Sequence, residues 1–205
     1  MMITIGKITR LAGLLLLVSG CSMLPQPVPV TQDQYVLEYT PDERLGVEPR
    51  KDAPVMIVTR PRAHGGYDTP RIAYMEKRYG LRYFTRSLWA DVPAVMLAPL
   101  IAAALQQTGE FQAFQKPPGA LSASLRLDTE LVRFHQDFTQ QPSVMRLTLR
   151  AELIDAHRNT VIAIRQFDIT EPAASDDAYG GVVAANRAVA RLLDELAQFC
   201  LANRP

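Results

Sequence analysis

Cysteine is scarce in this chain: Cys21 and Cys200 are the only two in 205 residues. With Cys21 chemically committed, as the N-terminus implies below, one thiol remains and no intramolecular disulfide can form. The fold must then hold on its core alone, even in an oxidising compartment. Cys200 falls on the apolar face of a predicted helix and reads as a buried, inert thiol rather than a redox group. Any apolar run near the roughly 20 residues needed to cross a bilayer as a helix is also missing. An excess of one charge is missing too. Residues 1–20 hold Lys7 and Arg10 and no acid, so the remainder carries 20 basic against 21 acidic side chains. A chain built to hold nucleic acid has a strong basic excess, and this one does not.

The motifs of catalysis are absent as well. His64-Gly65-Gly66 is similar to an esterase oxyanion loop, but no Gly-x-Ser-x-Gly elbow supplies its nucleophile. Gly180-Gly181 lacks the preceding strand and the third glycine of a dinucleotide fingerprint. None of His64, His135 and His157 has a second ligand at metal-binding spacing, so no metal site is expected. His135 and Asp137 would share one side of a strand, where a solvated face outweighs a dyad, and His157 sits in a predicted turn. No internal repeat is visible. An enzyme is not expected, and no cofactor beyond a covalent lipid is implied.

What is present starts at the N-terminus. Lys7 and Arg10 precede an apolar stretch from Leu11 to Val18, and Ser19-Gly20 lead into Cys21. The stretch is too short to span a membrane and reads as a removable signal. Small residues before the scissile bond and a thiol after it resemble the lipobox of bacterial lipoproteins, with Cys21 as the acylated residue. Residues 1–20 are then signal peptide, and 21–34 a lipidated tether in which Pro25, Pro27 and Pro29 impose an extended, semi-rigid chain. Residues 35–203 form a single domain, large enough for a real core.

Within that domain, Tyr35–Tyr39, Val55–Val58, Arg71–Tyr74 and Leu81–Phe84 read as short strands. A helix begins at Asp91, with Pro93 in its first turn, and ends near Gln107. Val92, Val95, Met96, Leu100, Ala103 and Ala104 follow its apolar spacing, and Pro99 predicts a bend. Leu125-Leu127-Thr129-Leu131 and Met145-Leu147-Leu149-Ala151-Leu153 alternate with charged residues at the period of two of half-buried antiparallel strands. A turn at Asp155–Asn159 returns the chain as a third strand, Thr160–Ile169. Interleaved charges on the outer faces discourage edge-to-edge association. A long C-terminal helix, capped at Ser175, Asp176 or Asp177, lines Val182, Val189, Leu192, Leu193, Leu196, Phe199 and Cys200 along one side. The expected fold is an α+β two-layer sandwich: a mainly antiparallel sheet, built on a three-strand meander, with two long helices on one face.

One cluster has the chemistry of an interface. Tyr74, Tyr79, Tyr83, Phe84 and Trp89 interleave with Lys77, Arg78, Arg82 and Arg86, and Tyr, Trp and Arg dominate interface hot spots. The competing reading places Trp89 and Phe84 under the first helix.

These features in order resemble the ABC-type transport auxiliary lipoproteins, in the branch typified by the paraquat-inducible transport system. The lipobox at Cys21 is followed by Tyr35-Val36-Leu37, the strand Val55–Val58, and an aromatic stretch ending in Trp89-Ala90-Asp91 at the start of a Leu/Ala-rich helix. Gly109-Glu110-Phe111, three long strands and the helix Asp177–Leu201 complete the match. Leu88, where the family often has Arg, and Pro99 depart from its pattern. The resemblance implies a non-enzymatic component of an MCE-type lipid transport system. Ser22 after the lipidated cysteine implies outer-membrane sorting, with the domain facing the periplasm. It also implies an MCE-domain partner, an ABC permease and ATPase behind it, and room for a homo-oligomer. A lipid-binding carrier and, further off, a periplasmic hydrolase are the alternatives.

Overall fold

The computed structural model describes residues 31–39, 49–115 and 122–204. Cys21 and the proline run before Thr31 lie outside the described residues. Nine strands and two helices follow in chain order. They are β1 (Asp33–Tyr35), β2 (Val55–Val58), β3 (Arg62–Ala63), β4 (Arg71–Met75), β5 (Leu81–Trp89), α1 (Pro93–Gln107), β6 (Gln112–Phe114), β7 (Leu125–Asp137), β8 (Val144–Asp155), β9 (Thr160–Pro172) and α2 (Ala178–Ala202).

The spine of the sheet is β7. Along one edge it pairs antiparallel with β8, which pairs antiparallel with β9. These three strands are the expected meander. The opposite edge of β7 is shared end to end by β2, β3 and β4, all parallel to it. β2 passes on to β6 in parallel, β4 to β5 antiparallel, and β5 to β1 in parallel. The expectation of a meander with a few earlier strands is therefore corrected to a nine-stranded mixed sheet. The short parallel strands carry too few residues for a period to show in sequence. β1 also differs: it covers Asp33–Tyr35 rather than Tyr35–Tyr39, so the last two residues assigned to the tether belong to the sheet. β5 runs on to Trp89, well past the predicted Phe84.

Both helices lie against the sheet, α2 on β8 and β9, and α1 on β6 and β2, with contact between the two helices. Asp177 caps α2 by accepting from the Gly180 N–H at 2.7 Å, which satisfies one of the free donors of the first turn. The predicted apolar side of α2 is buried throughout. α1 differs from its expectation in two ways. Its cap position is Val92, without a side-chain acceptor, and Asp91 instead accepts from the Val92 N–H at 2.6 Å. Its buried stripe is Ala94, Leu97, Ala98, Ile101, Ala104 and Leu105; of the predicted stripe Ala104 is buried and Met96 and Leu100 pack half-buried at its margin, because the helix is apolar nearly all round. The helix continues through Pro99, which lies on the exposed side where the carbonyl left without a donor can meet water.

The core lies between helices and sheet. Leu127, Leu131, Leu147 and Leu149 from β7 and β8 meet Leu192, Leu193 and Leu196 from α2. Trp89 stacks on Phe134 with ring centroids 5.4 Å apart, and Phe167 meets Phe199 edge-on at 5.9 Å. Each such side chain contributes roughly 1.5–3 kcal/mol by leaving water. Cys200 is fully buried, which pushes its thiol up to about 12 and keeps it protonated. Among the described residues no helix is long and apolar enough to cross a membrane.

The glycine pairs are structural. A side chain at Gly66 would fall 2.7 Å from Leu81 Cδ2, and one at Gly181 would fall 2.2 Å from Gln136 Oε1. Gly181 lets the first turn of α2 sit directly on buried Gln136, whose Nε2 donates to Ser143 Oγ at 2.9 Å.

A candidate site on the open face of the sheet

β7 changes phase at one residue. Leu131 pairs with Leu149 and Arg133 with Thr148, so Val132 is an extra residue, a β-bulge. Beyond it Phe134 and Gln136 face the helices, opposite Leu147 and Met145. Arg133, His135 and Asp137 face the other way, opposite Thr148, Arg146 and Val144. This end of the open face carries a groove of about 910 Å³, lined by Tyr67, Met75, Arg78, Tyr79, Arg133, His135, Asp137, Thr139 and Arg146.

The floor of the groove is tied together. The Tyr67 hydroxyl and His135 Nδ1 share a hydrogen bond of 3.0 Å, and the two rings stack within 10° of parallel. Asp137 accepts from the Thr139 N–H at 2.9 Å, from its hydroxyl at 2.6 Å, and from Arg146 Nε at 2.6 Å. His135 is only 3% exposed, which corrects the expectation of a solvated strand face. Burial lowers its pKa to about 4; Asp137 opposes that shift, and Arg133 and Arg146 add to it. The ring is therefore neutral at physiological pH. Burial alone would raise Asp137, but the hydrogen bonds from Thr139 and Arg146 outweigh it and hold the carboxyl below its ordinary value. Burial raises the Tyr67 hydroxyl above the usual tyrosine range, against the pull of Arg133. The site is a neutral imidazole–phenol pair beside a carboxylate committed to Arg146.

Sequence reasoning treated Tyr74 through Trp89 as one surface, and the structure divides it. Tyr74 pairs with Arg82 and with Gln136, whereas Met75 pairs with Leu81 and with Asp137. Neighbours on a strand point to opposite faces, so Tyr74 and Arg82 lie on the side away from the groove. There Tyr74 packs on Phe84 (4.6 Å) and Phe138 (5.9 Å), and Arg82 pairs with Glu76 at 2.9 Å. Tyr83 turns to the groove side, donates to the Gly66 carbonyl at 3.0 Å, and carries the Arg71 guanidinium 4.0 Å above its ring. Arg86 is exposed. Trp89 is 2% exposed, which removes it from any partner surface and makes it a core residue. From that set Arg78 and Tyr79 reach the groove. Tyr79 is 83% exposed in the β4–β5 turn, at a φ of 67°, a left-handed backbone that costs a tyrosine energy.

Tyr67, Arg133, Thr139 and Arg146 were missed as site residues because Tyr67 comes from a loop far away in sequence and the other three read only as polar positions of the β7–β8 hairpin. One signal for the groove existed: the alternation that runs through Leu131 resumes out of step at Phe134. Of the histidines outside the groove, His64 stands 3.4 Å from Glu130, and His157 is in the β8–β9 turn as expected. Among the described residues no cluster of His, Cys, Asp or Glu could hold a metal ion.

Residues 35–197 match the family model of the ABC-type transport auxiliary lipoprotein component. The chain belongs to that family, which makes it a lipoprotein auxiliary to an ABC transport system. Among solved structures it is similar to protein XCC0632 from Xanthomonas campestris, of the family DUF330. The two are 21% identical over 83% of this chain and 96% of that one, at a TM-score of 0.70. It is also similar to the hypothetical protein CT253 from Chlamydia trachomatis, at 10% identity, 74% and 99% coverage, and a TM-score of 0.50. At these identities the likeness concerns the fold. A search of curated proteins finds no match.

Proposed function

We propose that the chain is a non-enzymatic component of an MCE-type lipid transport system, anchored through acylated Cys21 at the periplasmic face of the outer membrane. There it docks an MCE-domain protein that bridges the periplasm from an ABC permease and ATPase. Family membership supports the transport role, and the N-terminal sequence supports the anchor. The observation that carries the docking role is Tyr79, held outward in a left-handed turn that a glycine would occupy without strain. Strain of roughly 1–3 kcal/mol persists where the surrounding structure fixes it, and such sites cluster at functional surfaces. An exposed tyrosine stacked by Arg78, on a hairpin fixed to a large sheet, is the composition of an interface hot spot.

The test is co-purification of Tyr79→Glu, Arg82→Glu and Arg86→Glu variants with the MCE partner. Tyr79→Glu is expected to reduce capture at least tenfold while thermal unfolding stays unchanged, with smaller losses at the two arginines. Normal capture by all three would refute the surface.

A further inference from the structure

The groove holds three guanidinium groups against one carboxylate, and they are not equivalent. Arg146 is committed to Asp137 at 2.6 Å. Arg78 and Arg133 have no ion-pair partner among the described residues. Arg78 lies 4.8 Å over the Tyr79 ring, a stacking that leaves the N–H edge of its guanidinium free to bind. With His135 neutral, Asp137 is the one carboxylate lining the groove; Asp168, in an adjoining cleft that Arg133 also lines, is held by Thr148 and Gln166. Beside these cations the wall is apolar: the Met75 side chain and the faces of Tyr67 and Tyr79.

We propose that the groove binds the headgroup of an anionic phospholipid, with Arg78 and Arg133 on the phosphate and Met75 and Tyr79 against the glycerol end of the acyl chains. Guanidinium forks match phosphate oxygens in pairs, and that geometry favours arginine over lysine for the task. A bare inorganic anion would satisfy the arginines and leave the apolar wall uncovered. An uncharged apolar ligand would cover the wall and bury guanidinium groups without partners, which is costly. An amphiphile with a phosphate at one end answers both halves. The groove opens onto the sheet face, away from the closed core beneath the helices, so the chains beyond the glycerol stay outside the domain. This is headgroup recognition, distinct from the internal cavity of a carrier; it shares Tyr79 with the docking surface and is tested apart from it at Arg78 and Arg133.

Met75 provides a local reporter. The intact chain, with 13C-methyl methionine, is held in an uncharged sugar detergent and titrated with dihexanoyl-phosphatidylglycerol while methyl signals are followed by NMR. The Met75 methyl, assigned through Met75→Leu, is expected to shift saturably. The buried Met56 and Met145 methyls should stay fixed and report an intact fold. Arg78→Gln with Arg133→Gln should weaken the apparent affinity at least tenfold, and Arg158→Gln, exposed in the β8–β9 turn and outside the groove, should leave it unchanged. Dihexanoylglycerol, which lacks the phosphate, and inorganic phosphate, which lacks the chains, should each bind at least tenfold more weakly. Equal binding of inorganic phosphate would make this a free-anion site, and equal binding of dihexanoylglycerol an apolar one. Either result, or an unmoved Met75 signal, overturns the proposal.

Discussion

The two halves of β7 are built from the same materials and put to different uses. Before Val132 the strand alternates cleanly: Leu125, Leu127, Thr129 and Leu131 are buried under the helices, while Arg126, Asp128 and Glu130 line the open face. The charges there are matched, with Arg126–Asp128 at 3.1 Å and Arg150–Glu152 at 3.0 Å, and His64 stands 3.4 Å from Glu130. After Val132, Arg133 is exposed without an ion-pair partner among the described residues, and from Phe134 to Asp137 both faces are buried, with a neutral histidine on the groove side. Matched surface pairs contribute little, about 0–1 kcal/mol each, and mainly keep the face soluble. Unmatched cations beside an apolar wall hold binding capacity in reserve. One inserted residue separates a strand that only supports from a strand that also presents a site.

The comparison breaks most sharply by deletion. Removing Thr129 forces Leu125 and Leu127 onto the open face while Leu131 keeps its place, because a slip of one residue exchanges faces. Two exposed leucines, at about 2–5 kcal/mol each, take most of a domain's net stability, and the variant is expected to be unfolded by circular dichroism. Removing Val132 restores plain alternation between Leu131 and Arg133 without moving any side chain to a new face. That variant is expected to fold with a loss of about 1–2 kcal/mol in urea unfolding. If the two deletions were equally damaging, the bulge would not be the hinge between the halves.

A smaller effect follows from His135. Its folded pKa, about 4, lies below the 6.5 of an unfolded histidine. Between those values the unfolded chain takes up a proton that the native ring refuses, so stability falls as pH drops through this window and levels off below about 4. From pH 7 to pH 5 the loss is about 2 kcal/mol. Asp137 runs in a separate window: its lowered pKa makes its contribution present above the ordinary carboxylate range and lost only below it. His135→Asn should flatten the pH 7 to 5 dependence of the urea midpoint. A slope that survives the substitution would assign the titration to another group.

How much of this could be read from residues alone follows from how distinct each pattern is. The side of α2 was legible because Arg187, Arg191, Asp194 and Glu195 mark its wet face against Leu192, Leu193 and Leu196. In α1 the run Ala94 to Leu105 carries no charge, so spacing could not choose a side, and packing on β2 and β6 chose it. β3 and β6 hold two and three residues, too few for any period, and their partners are far away in sequence. Interleaved charges were expected on the outer faces of the meander; β9 exposes Arg165 and Asp168 but also Val161, Ile162 and Ile164. The candidate surface was half legible: Tyr79 is exposed at the groove, but strand alternation sent Tyr74 and Arg82 to the other face and Trp89 into the core. Arg133 and Arg146 were visible only as the polar half of an alternation, since nothing local says that Arg133 lacks a partner.

The smallest effect tests whether the site costs the fold anything. Tyr79 sits at a φ of 67°, where a side chain crowds its own backbone and glycine does not. Its ring is 83% exposed, so its removal forfeits almost no buried area. Tyr79→Gly therefore exchanges backbone strain against the greater freedom of glycine in the unfolded chain. The expected balance is a gain of up to about 1 kcal/mol in urea unfolding, together with loss of partner capture. A control at Asn159, the other positive-φ residue, separates turn geometry from function, because Asn159→Gly changes a turn at the supporting end of the sheet. It should alter stability by a similar amount and leave capture intact. If Tyr79→Gly destabilised the chain instead, the tyrosine would be holding its turn together, and the reason for placing it outward would be structural.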